Sequence, residues 1–297
     1  VAKVLIIGST GQLGTALLSV LKEDEVIPFS HEELEISDFG IVQRVVAKHR
    51  PEIVINTSAF HRVDDCEDEV DQAFRINAFA VLNLARLCNQ QGSTLVHFST
   101  DYVFNGKRRT PYVEEDLPNP LSVYGVSKLA GECFVQTYCP SHFLIRTSGL
   151  YGLAGSRNKG GNFVLTMLKL ARDGREIRVV GDQVLTPTYA FDLAHKVGQL
   201  IKTKAYGLWH IANSGQCSWF QFASQIFMYC HLRVNLKEIT SSEYGARATR
   251  PAFSVLASSR LKTLHLDDMP VWEDALKRYL DFLQANVAGA GLVRGDH

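Results

Sequence analysis

The stretch VLIIGSTGQLGTALLSVL, Val4 to Leu21, decides the fold. Four apolar residues run directly into glycine, and glycines at Gly8, Gly11 and Gly14 precede a run of helical period. An apolar run without polar alternation reads as a strand buried on both faces. Gly8 permits a tight turn, Gly11 a close backbone approach to a pyrophosphate, and Gly14 close packing of helix on strand. The helix that opens there offers unpaired N–H groups and the positive end of its dipole to an anion. Strand, loop and helix in that order predict nucleotide binding rather than a bare turn.

Working outward, further apolar runs at Val26–Phe29, Ile53–Asn56, Leu95–Phe98 and Phe143–Ile145 read as strands. Between them, 14–22, 39–49, 71–90 and 123–138 read as helices. This alternation predicts an α/β protein with a doubly wound parallel sheet of Rossmann type. After Arg146 the alternation breaks down, and the predicted organisation is a nucleotide-binding domain over 1–150 with returning segments at about 177–213. Residues 151–176 and 214–297 are then expected to form a smaller substrate lobe.

Composition narrows the function classes. Lys plus Arg and Asp plus Glu are equal at 31 each, so no global charge favours nucleic acid or an anionic membrane. The six cysteines form no C-x-x-C pair and no metal-ligand spacing with histidine, which reads as reduced thiols in a cytoplasmic protein. No run of about 18 apolar residues predicts a transmembrane helix, and the apolar N-terminal run reads as a buried strand rather than a leader.

Tyr124 and Lys128, in PLSVYGVSKLAGE, lie four apart and share a helix face. A ketone that accepts hydride develops charge on oxygen and needs a proton, and an ammonium beside a phenol eases proton exchange. A tyrosine and a lysine at this spacing also occur in many helices without a function. FSTDYVFNG changes that balance, because it places Thr100 at the end of the fourth strand, where open α/β sheets bind ligands. There its hydroxyl can reach the same carbonyl oxygen. Thr100, Tyr124 and Lys128 are therefore the candidate catalytic set.

These motifs resemble the extended short-chain dehydrogenase/reductases, and within them the enzymes that reduce 4-keto groups of dTDP-linked deoxyhexoses. GSTGQLG, INTSAFHRVDDCE, STDYVF, YGVSKLAGE, RTSGLYG, GDQVLTPTY and RPAFSVL carry the likeness along nearly the whole chain. The resemblance implies a cofactor site at Gly8, Thr10, Gly11, Gln12, Leu13, Gly14, Glu35, Ile36, Ala59, Phe60 and His61, completed by Tyr124 and Lys128. It implies substrate contacts at Thr100, Asp101, Tyr124, Gly149 and Asn162, with Arg157 and Lys159 placed to meet a diphosphate. The implied reaction is NAD(P)H-dependent reduction on the route to dTDP-linked rhamnose. The second strand ends in Ser30 and His31 instead of a ribose-binding carboxylate, which leans the choice toward NADPH while leaving NADH open. Some family members form homodimers and some use Mg²⁺, but no carboxylate cluster in this sequence places a metal.

Two departures concern the sugar pocket. Gly149 stands where some members carry tryptophan, and Leu185 where glycine is frequent. Other readings of the same scaffold are a second 4-ketoreductase, an epimerase, or a regulatory subunit of the methionine adenosyltransferase β type.

Overall fold

The computed structural model describes residues 1–153 and 161–288, so Arg157 and Lys159 lie outside the described residues. The first half runs β1 (Lys3–Ile7), α1 (Gln12–Val20), β2 (Glu25–Phe29), α2 (Phe39–His49), β3 (Ile53–Asn56), α3 (Val63–Asp68) and α4 (Val70–Phe74). A π-helical turn, Arg75–Phe79, leads into α5 (Ala80–Gln91), followed by β4 (Thr94–Thr100), α6 (Val123–Tyr138) and β5 (His142–Thr147). The second half contains β6 (Leu150–Tyr151), α7 (Phe163–Arg172), β7 (Ile177–Val180), β8 (Val184–Leu185), β9 (Thr188–Tyr189) and α8 (Ala190–Leu200). It closes with β10 (Gly207–His210), β11 (Cys217–Ser218), α9 (Trp219–Tyr229), β12 (Leu236–Ile239), α10 (Ser241–Tyr244), α11 (Ser259–Thr263) and α12 (Trp272–Ala288).

Six strands form one sheet in the order β10-β5-β4-β3-β1-β2, and every neighbouring pair is parallel. Successive residues of β1 supply opposite faces. Val4 and Ile6 join Leu17, Leu193 and Val197 on one side, while Leu5 and Ile7 join Val46, Leu84 and Val135 on the other. Each such fully buried aliphatic side chain contributes about 1.5–3 kcal/mol, and helices on both faces explain why β1 shows no polar alternation. The strand order reverses between β1 and β3, which opens a crevice beyond their carboxyl ends.

The predicted return of Ile177–Val180 to this sheet is corrected by the structure. β7 pairs in parallel with β12, and Ile177 and Val179 bury their side chains with Val164, Phe222 and Ile226 in a separate core. Periodicity identified the strand but carried no information about its partner. The expected return of 207–210 does occur, as β10 pairs with β5. The helix predicted over 71–90 is interrupted by the π turn, a feature that shifts side chains around the helix axis without ending it. Among the described residues no helix is long and apolar enough to cross a membrane.

Candidate active site

The glycine loop is held against the end of β2, where the Gly8 and Ser9 N–H groups both donate to the Phe29 carbonyl at 2.9 Å. Gly8 has φ of +82°, and a Cβ there would also stand 2.7 Å from Thr57 Oγ1. At Gly14 a Cβ would collide with the Gly8 carbonyl oxygen, so the sequence-level reason for this glycine is met by close helix–loop packing. Helix α1 begins after Gly11 with no side-chain cap. Its first-turn N–H groups are therefore without a side-chain cap, the arrangement that suits an anion. Thr10 is exposed, Gln12 is half-buried, and the Leu13 side chain belongs to the core, leaving only Leu13's backbone for a ligand.

Just beyond β2, Ser30 and Glu33 make a reciprocal pair. The Ser30 N–H donates to Glu33 Oε2 at 2.8 Å, and the Glu33 N–H donates to Ser30 Oγ at 3.3 Å. Glu33 thus brings a carboxylate to the position where the strand itself has none. Its signal was available as the capping-box spacing of a serine and a glutamate three residues later. Ile36 is buried, and Glu35 is half-exposed with His31 Nδ1 at 3.1 Å from its Oε2.

Ala59, Phe60 and His61 follow β3 and are fixed by a residue that motif reading missed. Asn77, in the π turn, accepts from the Phe60 N–H at 2.9 Å and donates to the Phe60 carbonyl at 2.9 Å. It also reaches Ser127 Oγ at 3.1 Å. The loop after β3 and helix α6 are therefore locked to one amide. His61 is exposed, with Nδ1 at 3.4 Å from the Ala59 carbonyl.

The proposed catalytic set converges at the carboxyl end of β4. Ser122 caps α6 by accepting from the Gly125 N–H, which places Tyr124 in the first turn and Lys128 one turn later. Burial drives the Tyr124 pKa upward, against a lowering influence of the Thr100 side chain and with a further raising one from the Asp101 carboxylate. This differs from the expected depression by Lys128. The Lys128 amine is instead turned to the sheet, donating to the Phe98 carbonyl at 2.6 Å and lying 3.5 Å from His97 Nε2. Burial lowers Lys128 to about 8 against an opposing pull from Glu132.

His97 is another buried polar group that the motifs did not announce. The Ser58 N–H fixes Asn56 Oδ1 at 3.0 Å, so the Asn56 amide nitrogen faces His97 Nδ1 at 3.1 Å. Nδ1 must accept, and the imidazole proton belongs on Nε2, toward Lys128. Burial, reinforced by Lys128, holds His97 well below the usual imidazole range.

Asp101 is buried with its carboxylate turned inward. Thr100 Oγ1 donates to Oδ1 at 3.0 Å, Ser148 Oγ donates to Oδ2 at 2.8 Å, and Ser254 adds a third hydroxyl. Burial lifts its pKa to about 6 against these hydrogen bonds. Asn162 is also largely committed within the protein. Its Oδ1 caps α7 by accepting from Leu165 N–H at 3.0 Å, while Nδ2 lies 2.8 Å from the Gly152 carbonyl and 3.2 Å from Gln12 Oε1. Gly149 adopts φ of +53°, and a Cβ there would stand 2.7 Å from Leu185 Cδ1. The two departures noted in the sequence are therefore neighbours, with Leu185 filling space beside Gly149.

Arg250 pairs with Asp64 through two hydrogen bonds of 3.1 and 2.7 Å, and its charge lies close enough to the half-buried Tyr102 phenol to lower that group's pKa against burial. Behind the site, Arg146 and Glu132 form a buried bidentate pair at 2.9 and 2.6 Å.

A parallel sheet with this strand order, an uncapped helix at the glycine loop and a Thr-Tyr-Lys cluster beyond β4 define a Rossmann-type protein of the extended reductase architecture. Residues 2–285 match the family model described as RmlD substrate binding domain, and the chain belongs to that family. It is 41% identical over 280 residues to the spore coat polysaccharide biosynthesis protein SpsK of Bacillus subtilis, covering 94% of this chain and 96% of that one. It is 35% identical over 301 residues to dTDP-4-dehydrorhamnose reductase of Escherichia coli, covering 96% and 99%. The solved dTDP-4-dehydrorhamnose reductase of Bacillus anthracis, in complex with NADP, superimposes with a TM-score of 0.90 at 41% identity, covering 94% and 98%.

Proposed function

We propose that this protein is a dTDP-4-dehydrorhamnose reductase, which reduces the 4-keto group of dTDP-6-deoxy-L-lyxo-4-hexulose to give dTDP-L-rhamnose. The observation that carries this reading is the placement of Thr100 at the carboxyl end of β4, with Tyr124 and Lys128 on the following α6 and the glycine loop after β1 of the same sheet, in a chain 35–41% identical along its length to proteins of that name and to a polysaccharide-biosynthesis relative. The residues present fit a dinucleotide. The close-packed Gly8 and Gly14 and the uncapped start of α1 suit a pyrophosphate. The half-exposed Glu35 and the segment Ala59 to His61 would flank the adenine and ribose. NADPH is the proposed cofactor, supported by the NADP held by the Bacillus anthracis protein.

When bound, the reduced nicotinamide supplies hydride for C4 of the sugar. Tyr124 delivers its proton to O4, and its high pKa keeps that proton in place until charge develops on the oxygen. Lys128 sits one turn further along α6, where it would hold the nicotinamide ribose and stabilise the phenolate left behind. Thr100, at the end of β4, would steady the same O4 oxygen. The lobe built from 161–180 and the described segments after 213 would meet the nucleotide sugar beside Gly149 and Asn162.

The test is NADPH oxidation with dTDP-6-deoxy-L-lyxo-4-hexulose and identification of dTDP-L-rhamnose as the product. Tyr124→Phe should retain NADPH binding and lose about 10²–10⁴-fold in kcat. Full turnover by that variant, or no rhamnose product from the native protein, would remove this assignment.

A further inference from the structure

We propose that Asn162 is a positioning residue: from the substrate lobe it holds Gln12 at the head of α1, pre-ordering the glycine loop for the dinucleotide and coupling that loop to α7 and α12. This rests on the reading of the glycine loop as the dinucleotide site and is independent of the identity of the sugar.

The Asn162 side chain is committed inside the protein, in a residue 8% exposed. Its Oδ1 caps α7 by accepting the Leu165 N–H at 3.0 Å. The amide nitrogen carries two N–H groups, and three oxygens stand within reach of it. These are the Gly152 carbonyl at 2.8 Å, the Tyr279 hydroxyl at 3.0 Å and Gln12 Oε1 at 3.2 Å. Tyr279 gives its own proton to the Gly152 carbonyl at 3.1 Å, so toward Asn162 it is an acceptor. Two donors shared among three acceptors leave none for a ligand. The sequence-level expectation that Asn162 contacts the sugar is revised accordingly, because its donors are turned to the chain itself.

The three oxygens tie separate parts of the fold together. Gln12 is the first residue of α1, directly after Gly11. Gly152 follows β6 and packs so tightly that a Cβ there would stand 3.3 Å from Gln12 Cβ and 2.9 Å from Ala190 Cβ. Tyr279, on α12, is fully buried, its ring 5.1 Å from that of Tyr151 and 5.4 Å from that of Tyr189. Those rings share a core with Val164, the second residue of α7. Gln12 is thus the one member of the set that belongs to the glycine loop and its helix, and Asn162 is its link to the second core. Gln12 takes part through its oxygen and keeps its N–H donors, the part of an amide that suits a phosphate. A side chain ordered before the ligand arrives loses less freedom on binding. Such coupling is reciprocal, so a bound dinucleotide that fixes Gln12 also stabilises α7 and α12.

The experiment compares the native protein with Gln12→Leu, Asn162→Ser and the double variant. Serine keeps an N-cap oxygen for α7 and removes the amide that reaches Gln12. In isothermal titration with NADP⁺, Asn162→Ser should weaken binding about three- to tenfold, the scale of one hydrogen bond. Added to Gln12→Leu, the same change should cost less than about twofold, because the contact is already gone. A lobe that was merely weakened would lose the full factor in either background. Native-like NADP⁺ affinity in Asn162→Ser, or factors that multiply in the double variant, would overturn the proposal. The second measurement is amide hydrogen exchange over 163–172 and 272–283. Saturating NADP⁺ should slow it about three- to tenfold in the native protein and less in Gln12→Leu at equal saturation. No slowing in the native protein, or equal slowing in both, overturns the proposal, and this measurement decides alone if Asn162→Ser fails to fold. A native protein that binds NADP⁺ and yields no dTDP-L-rhamnose would lose the reductase assignment, while both measurements would still decide the role of Asn162. One that binds neither NADP⁺ nor NADPH would lose the dinucleotide reading and this proposal with it.

Discussion

The Lys128 amine donates to the Phe98 carbonyl at 2.6 Å, tying the second turn of α6 to the strand that ends in Thr100. Burial of this amine lowers its pKa to about 8, below the unfolded value of about 10.4. Between those values the unfolded chain holds a proton that the native state has lost, so native stability rises with pH across the window. Against Lys128→Met, the native protein should gain up to about 3 kcal/mol of unfolding free energy from about pH 7 to about pH 11. Urea unfolding of both proteins checks this, and a pH-independent difference would mean that Lys128 titrates normally.

Removal of one partner from the buried Arg146–Glu132 pair should be severe. Both side chains are at most 4% exposed, and α6 and β5 meet through them. Glu132→Gln leaves an uncompensated guanidinium and should cost about 3–5 kcal/mol. The double variant with Arg146→Met should lose less than the single one, as read from thermal melts with a calorimetric check.

Gly149 and Leu185 should behave as a coupled pair. Gly149→Trp places a side chain on a left-handed backbone and against Leu185 Cδ1, with an expected cost of about 3 kcal/mol. Adding Leu185→Gly opens that space and should recover at least about 1 kcal/mol. A double-mutant cycle in urea unfolding measures the coupling, and strict additivity would show that the two positions do not compete for volume.

Glu33 should weaken the hold on a 2′-phosphate. Its carboxylate accepts the Ser30 N–H just beyond β2, whose last residue, Phe29, holds the glycine loop. Glu33→Gln should raise the preference for NADPH over NADH by about three- to tenfold at low ionic strength, and salt should shrink the effect. Fluorescence titrations with both cofactors provide the comparison. An unchanged ratio would place the phosphate away from Ser30.

Asn77 should matter more than its place in a helix implies. Asn77→Ala strands the Phe60 N–H and carbonyl and frees Ser127, at an expected cost of about 1–3 kcal/mol. NADPH affinity should fall with it, since the segment after β3 loses its anchor. Isothermal titration beside urea unfolding separates the two effects.

The sequence by itself determined the strand–glycine–helix start, the parallel sheet and the candidate set of Thr100, Tyr124 and Lys128. These are local properties: unbroken apolar runs betray burial on both faces, glycines mark forced backbone approaches, and a four-residue spacing fixes a helix face. Only the tertiary structure decided which way polar atoms point and which distant segments they join. It sent β7 to β12 rather than to the main sheet. It brought Ser254 to Asp101, folded Glu33 back onto Ser30, and turned Lys128 toward Phe98. Hydrogen bonding is directional and depends on partners that periodicity cannot locate, so the candidate residues could be picked from the chain, while the partners of their polar atoms were decided by the fold.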